Sequence, residues 1–327
     1  MNIPPETDLR VPAEQLADFC TRLGQAAGMP ADQAALLAEL LTGNDLRGVV
    51  SHGTQQLATY ARLLRERRLN PAPAPAVVRQ SPVSLLVDGD GGLGYFAATE
   101  ATRRLVDLAT EQGMAVAVTR NHGHIGAAGL YARMTLGHDL LCFVTSGHQL
   151  ALAPGRAVFE AAGGSPMAFT APTGEEPPLV LDFGAMHDLY ADSPHRERIT
   201  ELAPGLVHRC IGLGTVCQAW GGLLAGVPVD GDRADRRWPG ATQGAMVVLV
   251  RIDLFLPAEQ FRAEMDAYAR AVAALEPLSP GGRASLAGGP EAARERENRV
   301  RGVPVGEEQR RLLSDVGQEF GVPLPWA

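Results

Sequence analysis

At 327 residues, 46% hydrophobic and 20% charged, the chain has the balance of an ordinary globular protein, with room for one large domain or two. A formal net charge of −8 disfavours nucleic acid as a partner; with no apolar run of membrane-spanning length, a cytoplasmic location is expected. All 29 Lys+Arg residues are arginine, which excludes Schiff-base, P-loop-lysine and lysine-acid chemistry and leaves arginine as the fixed cation.

From Pro12 to about Gly48 the pattern is helical. Val11, Leu16, Phe19, Cys20 and Leu23 recur at helical spacing, Ala34 to Leu41 repeats it, and Gly28-Met29-Pro30 breaks the two. Another helix is expected from Gln55 to Arg68, then an extended proline-rich connector from Asn70 to Pro75. Val83–Val87 and Met114–Val118 read as strands flanking a helix from Tyr95 to about Gln112. Leu140–Val144, the segment after Gly163-Gly164 and Leu179–Asp182 read as further strands. Cys210–Gly226 is apolar and glycine-rich, the pattern of a buried helix that neighbours approach closely. Asp230–Gly240 is a charged loop, Met246–Ile252 a central-type strand and Pro257–Leu275 an amphipathic helix. Two helices, Glu291–Arg301 and Gly306–Phe320, end the chain. Strands and helices alternate only in part, so the fold class is α/β or α+β. The expected organisation is a helical segment (1–75), a central sheet domain carrying the active site (76–255) and a C-terminal helical segment (256–327) packing back on the N-terminal part.

Three motifs carry chemistry. Arg120-Asn121-His122-Gly123-His124-Ile125-Gly126 follows a strand and enters a helix, placing two histidines where backbone N–H groups are exposed. Asp45-Leu46-Arg47-Gly48 with Ser51-His52-Gly53 is a second histidine site. Gly89-Asp90-Gly91-Gly92-Leu93-Gly94 fits the dinucleotide fingerprint between strand and helix. That fingerprint needs an acidic residue ending the next strand, where Thr119 and Arg120 stand instead. A tight strand-to-helix turn is the preferred reading. No metal site is expected, because the histidines have no carboxylate or cysteine at ligand spacing.

In their order and spacing these motifs, with Val87-Asp88-Gly89-Asp90 and Ala171-Pro172-Thr173-Gly174, resemble the malate/L-lactate dehydrogenase-like, non-Rossmann oxidoreductases. The resemblance implies a large mixed, mostly antiparallel sheet with flanking helices. It implies a homodimer, and hydride transfer between NAD(P)H and C2 of a 2-oxo acid or cyclic imine, here in a specialised biosynthetic pathway. It makes His124 the proton-transferring residue, since hydride arriving at a carbonyl carbon leaves charge on oxygen. His52 and Asp182 join it as catalytic candidates. Ser51, Gln56, His122 and Arg47 become substrate-side candidates, Arg47 equally able to pair a carboxylate. Ser146, Ser165, Pro166, Ala128 and Met186 become cofactor-side candidates.

Departures from the family pattern cluster on the cofactor side. Gln56 stands where the family commonly has arginine, which points to a substrate other than a simple free carboxylate, such as an ester, amide or carrier-bound group. Asp182-Phe183-Gly184-Ala185-Met186 lacks the hydroxyls of the family's run. Ser165 replaces an asparagine, and Ile211 stands where the family has lysine. A cofactor-free isomerase, lyase or cyclase that kept the histidines is therefore a second reading, and a silent scaffold a third.

Overall fold

The computed structural model describes residues 5, 7, 9–279 and 282–326. Its main elements, in chain order, are β1 (Arg10–Val11), α1 (Ala13–Ala26), α2 (Ala31–Leu46), α3 (Leu57–Arg65), β2 (Ala76–Ser81), β3 (Ser84–Asp88), α4 (Gly94–Gln112), β4 (Met114–His122), α5 (Gly129–Arg133) and β5 (Leu140–His148). There follow β6 (Pro166–Ala171), β7 (Leu179–Gly184), α6 (Arg196–Leu202), α7 (Pro204–Cys217), β8 (Gln243–Arg251), α8 (Ala258–Ala273), α9 (Gly289–Arg301), β9 (Val303–Pro304) and α10 (Glu307–Phe320). They form two compact units, Met1–Ala74 with Gly288–Ala327, and Pro75–Ala287.

The first unit is helical. Helix α1 buries Leu16, Phe19, Cys20 and Leu23, one face of a 3.6-residue period, and α2 buries Ala34, Leu37, Ala38 and Leu41. Each fully buried leucine or phenylalanine stabilises by roughly 1.5–3 kcal/mol. Gly28, at φ +97°, turns the chain between the two helices. The two ends of the unit are tied by β1 pairing antiparallel with β9, and by Asn298 Nδ2 donating to the Leu46 carbonyl at 2.9 Å.

The second unit is built on a seven-stranded sheet of order β2-β3-β4-β8-β5-β6-β7. Only β3 and β4 run parallel, so the sheet is mixed and mostly antiparallel, as the resemblance implies. Strand β8 lies between β4 and β5 and buries Ala245, Met246, Val247 and Leu249, which explains its nearly continuous apolar run. Helix α4 packs on β3, β4 and β8 through Tyr95, Ala98, Ala101, Leu105 and Ala109. The register brings His122, Gln243 and His148 side by side across β4, β8 and β5. Pro166 and Gly184 pair at the same end of the sheet, where β6 starts and β7 ends.

Two expectations are corrected here. Residues 256–287 belong to the second unit, not to the C-terminal helical segment. Asp266 of α8 accepts from the backbone N–H groups of Gly174 at 3.0 Å and of Glu176 at 3.0 Å, tying α8 to the β6–β7 connection. The apolar segment Cys210–Gly226 is buried on one face only. A Cβ on Gly214 would lie 2.4 Å from the Ala162 Cβ, and one on Gly221 would lie 2.5 Å from the Ser146 backbone, so glycine permits these close approaches. Leu206, Leu213, Val216, Trp220 and Leu223 are exposed.

Candidate active site

The two histidines of the Arg120–Gly126 motif are separated by burial. Thr119 is paired with β8, a bulge follows it, and His122 resumes the pairing as the last residue of β4. His122 is 0% exposed. Its Nδ1–H donates to the Gly123 carbonyl at 2.8 Å, because a carbonyl can only accept, and its Nε2 accepts from Thr119 Oγ1 at 2.7 Å. Burial pulls its pKa down from 6.5 to about 4, so it is neutral at physiological pH. The expectation that His122 contacts substrate is therefore corrected: it is an internal strut. His124 is partly exposed within a stretch that is otherwise buried from His122 to Ala132.

The backbone around His124 is held from several sides. Gly94 N donates to the His124 carbonyl at 3.0 Å, and Gly123 N to the Gly92 carbonyl at 2.8 Å. Tyr131 Oη donates to the Ile125 carbonyl. Gly126, at φ +75°, lies against the Tyr95 ring, where a Cβ would come within 2.3 Å of the hydroxyl oxygen. Such fixing suits a proton-transfer group, because a misplaced donor loses much of its effect.

The Gly89–Gly94 turn is part of this support. A Cβ on Gly89 would lie 2.8 Å from the His122 Cβ, one on Gly91 would lie 2.0 Å from the Trp238 ring, and one on Gly94 would lie 2.6 Å from the Gly123 carbonyl. The turn is filled by protein and serves as scaffolding. Its likeness to a dinucleotide fingerprint is coincidental.

Asp182, in the middle of β7, packs its carboxylate on the first residue of α5. A Cβ on Gly129 would lie 2.5 Å from Asp182 Oδ2. The structure thus places Asp182 against the start of the helix that follows the His124 turn. The cofactor-side candidates fare differently. Ala128 and Ser165 are 0% exposed and Met186 1%. Ser165, at φ +47°, accepts from Met186 N at 3.1 Å, and Met186 joins a core cluster with Ala162, Leu189, Val207 and Ile211. The side chains of these three residues are packed inside the protein rather than exposed to solvent. Ser146 is 6% exposed, beneath Gly221. Pro166 is half-buried, and its carbonyl accepts from Thr145 Oγ1 at 2.9 Å.

Sequence reasoning missed Gln218. Its Oε1 accepts from His148 N at 3.1 Å, while its Nε2 is buried with no acceptor among the described residues. A Cβ on Gly163 would lie 2.1 Å from that nitrogen. An orphaned amide donor beside His148 has no motif to announce it, being one polar residue in an apolar helix.

The remaining candidates lie on the first unit. Asn44 Nδ2 donates to the His52 carbonyl at 2.8 Å, and Ser51 Oγ lies 3.0 Å from His52 Nδ1. Gln56 Nε2 donates to the Ser51 carbonyl at 2.7 Å, so this amide braces the loop. Arg47 Nε pairs with Glu295 Oε2 at 2.9 Å, which realises the structural alternative for this residue and leaves its substrate role without support. The loop is anchored by a group the motif only hinted at. Asp45, 1% exposed, accepts through Oδ2 from Thr54 N at 3.1 Å, Thr54 Oγ1 at 2.6 Å and Gln309 Nε2 at 3.0 Å. Its Oδ1 has no partner among the described residues, and a Cβ on Gly53 would lie 1.7 Å from it. Burial pushes the Asp45 carboxyl up from 3.8 to about 7. Among the described residues no group of three His, Cys, Asp or Glu side chains could hold a metal ion, and no helix is long and apolar enough to cross a membrane.

This architecture has relatives. The chain belongs to the malate/L-lactate dehydrogenase family, a family of oxidoreductases, which it matches over residues 11–186 and 193–314. Malate dehydrogenase of Pyrococcus horikoshii is 32% identical over 54% of this chain and 49% of its own, so the chain's match spans about half the length of that relative. Hydroxycarboxylate dehydrogenase B of Escherichia coli is 23% identical over 97% of this chain and 96% of its own. Among solved structures, malate dehydrogenase from Pyrococcus horikoshii OT3 superposes with a TM-score of 0.82 at 23% identity, covering 99% of both chains. That last likeness concerns the fold.

Proposed function

We propose that the chain is an NAD(P)H-dependent reductase acting on C2 of a 2-oxo acid or cyclic imine, and that it works as a cytoplasmic homodimer. The observation that carries this reading is His124: the partly exposed histidine of a braced turn at the sheet end, in a chain of a dehydrogenase family. When bound, the nicotinamide supplies the hydride. His124 holds the proton for the oxygen or nitrogen that becomes basic as C2 is reduced. Asp182 lies against the start of α5 and helps set the turn. The residues present fit a dinucleotide at one place. Gln218 Nε2 is a buried donor in want of an acceptor, of the kind a carboxamide or phosphate oxygen satisfies, with His148 and Pro166 at the same sheet end. The exposed stripe Leu206, Leu213, Val216, Trp220 and Leu223 supports the homodimer, since exposed apolar patches mark contact surfaces.

Titration of NADH and NADPH against the protein, followed by fluorescence or calorimetry, is the test. Binding of one of them below about millimolar concentration is the expected result. Binding of neither overturns the reading. The burial of Ala128, Ser165 and Met186 favours one competitor, proton transfer without hydride at the same histidines. Turnover that needs His124 but no nucleotide would select it.

A further inference from the structure

The loop Asp230–Gly240 is built around one side chain, Gln149, which directly follows β5. Gln149 N donates to the Thr242 carbonyl at 2.9 Å and its Nε2 to the Val229 carbonyl at 3.0 Å, so both ends of the loop are tied to it. Its Oε1 accepts from Arg236 Nη2 at 2.6 Å. Two residues on, Trp238 lies on Gly91, whose N–H donates to the Asn121 carbonyl at 2.9 Å at the end of β4. The loop therefore runs over the sheet end from β5 to β4, three residues short of His124. The strands between, through His148, Gln243 and His122, span about 10 Å at the usual strand spacing.

Arg236 differs from the other arginines that are paired on the surface. It is half-buried, and no carboxylate lies within ion-pair distance of it among the described residues. Loss of solvent pulls its pKa below the ordinary arginine value. A guanidinium has five N–H donors in a planar fork, and among the described residues only one of Arg236's contacts a protein acceptor at hydrogen-bond distance. Trp238 Nε1 is also buried and without an acceptor among the described residues. A half-buried cation and an orphaned, buried N–H two residues apart on this loop are donors of the kind an anion satisfies.

We propose that Arg236 grips the substrate's carboxylate, with Trp238 Nε1 as a further donor, so that the substrate is a free acid. Gln56 then need not neutralise that charge, and its amide is already bonded to Ser51. The assignment rests on the 2-oxo acid reading above and names its specificity residue. Arg236 is a half-buried arginine at this sheet end with no carboxylate partner among the described residues, and in a chain without lysine arginine is the fixed cation for the role.

Oxalate is the probe, because it binds without hydride transfer and tests the anion site apart from the reductase reading. Calorimetry on the full chain should show oxalate binding that weakens about 30-fold in Arg236→Gln, as expected for loss of a charge-assisted hydrogen-bonded pair. Trp238→Phe, which removes one neutral donor, should weaken it about 3- to 10-fold. Arg236→Lys, which keeps the charge and loses the fork, should fall between wild type and Arg236→Gln and serves if the glutamine variant does not fold. Arg233→Gln, on the same loop with its partner Asp230 at 3.7 Å, should leave binding unchanged. Equal oxalate affinity in wild type and Arg236 variants overturns the proposal, as does no oxalate binding to wild type at tens of millimolar. So does a selective loss of NADPH affinity in Arg236→Gln, which would assign the cation to a cofactor phosphate. Arg236-dependent oxalate binding in a protein that binds neither nucleotide would keep the anion site and reject the reductase. Reduction of 2-oxo acids with KM unchanged in Arg236→Gln would do the reverse.

Discussion

The two histidine loops are held by opposite chemistry. In the first unit the loop of His52 hangs on a buried carboxyl, Asp45, which among the described residues takes three hydrogen bonds on one oxygen and none on the other. In the second unit the turn of His124 hangs on a buried imidazole, His122, satisfied at both nitrogens. Burial drives both anchors toward their neutral forms, Asp45 to about 7 and His122 to about 4. Within a short motif, burial makes one ionisable residue a strut while its neighbour stays partly exposed.

The comparison can be broken at several points, the largest first. His124→Ala should lower kcat by about 10²- to 10⁴-fold with little change in nucleotide affinity, as measured by stopped-flow and titration. His122→Phe should instead lower stability by roughly 1–3 kcal/mol, because Thr119 and the Gly123 carbonyl lose their partner; denaturant melts read this. The kcat pH midpoint of a still-folded His122 variant should not move, since His122 carries no charge near neutrality. Asp45→Ala should cost a similar amount in the first unit, with Thr54 N, Thr54 Oγ1 and Gln309 Nε2 losing an acceptor.

The pH dependence should separate the units with opposite signs. Asp45's folded pKa lies above its unfolded value, so the folded state binds more protons between pH 3.8 and about 7 and is destabilised as pH rises through that window. His122's folded pKa lies below its unfolded value. Its stabilisation is complete above pH 6.5 and is lost as pH falls toward about 4. Each slope is at most about 1.4 kcal/mol per pH unit. Hydrogen exchange, corrected for intrinsic rate, should show Thr54 N–H protection falling with pH while Gly123 N–H protection rises, and Asp45→Asn should flatten the first trend. The smallest effect is expected at Gln56→Ala. Losing one hydrogen bond on the rim of the loop should cost about 0.5–1.5 kcal/mol and leave the substrate preference for a free acid intact.

Some of this was legible in the residues. The helical faces of α1 and α2 follow from leucine and alanine spacing, and the interior place of β8 from its apolar run, because local periodicity and burial read the same pattern. The order of the motifs around His52 and His124 was enough for the family. What a linear pattern could not carry was which polar atoms end up without water. His122 and His124 are alike on paper; a bulge after Thr119 and the packing of Gly89 and Gly94 sent one inward. The glycines of the fingerprint-like turn proved to be spaces for His122 and Trp238, contacts that join residues distant in the chain.

The sequence by itself determined the elements, the family and the pair of histidine motifs, since these depend on neighbours within a turn or two and on residue order. Only the tertiary structure decided that burial drives Asp45 and His122 toward their neutral forms, that Ser165 and Met186 lie in the core, and that Arg236 and Gln218 hold donors with no acceptor among the described residues. Desolvation is a property of everything packed around an atom, and it is desolvation that turns a common side chain into a strut or a binding group.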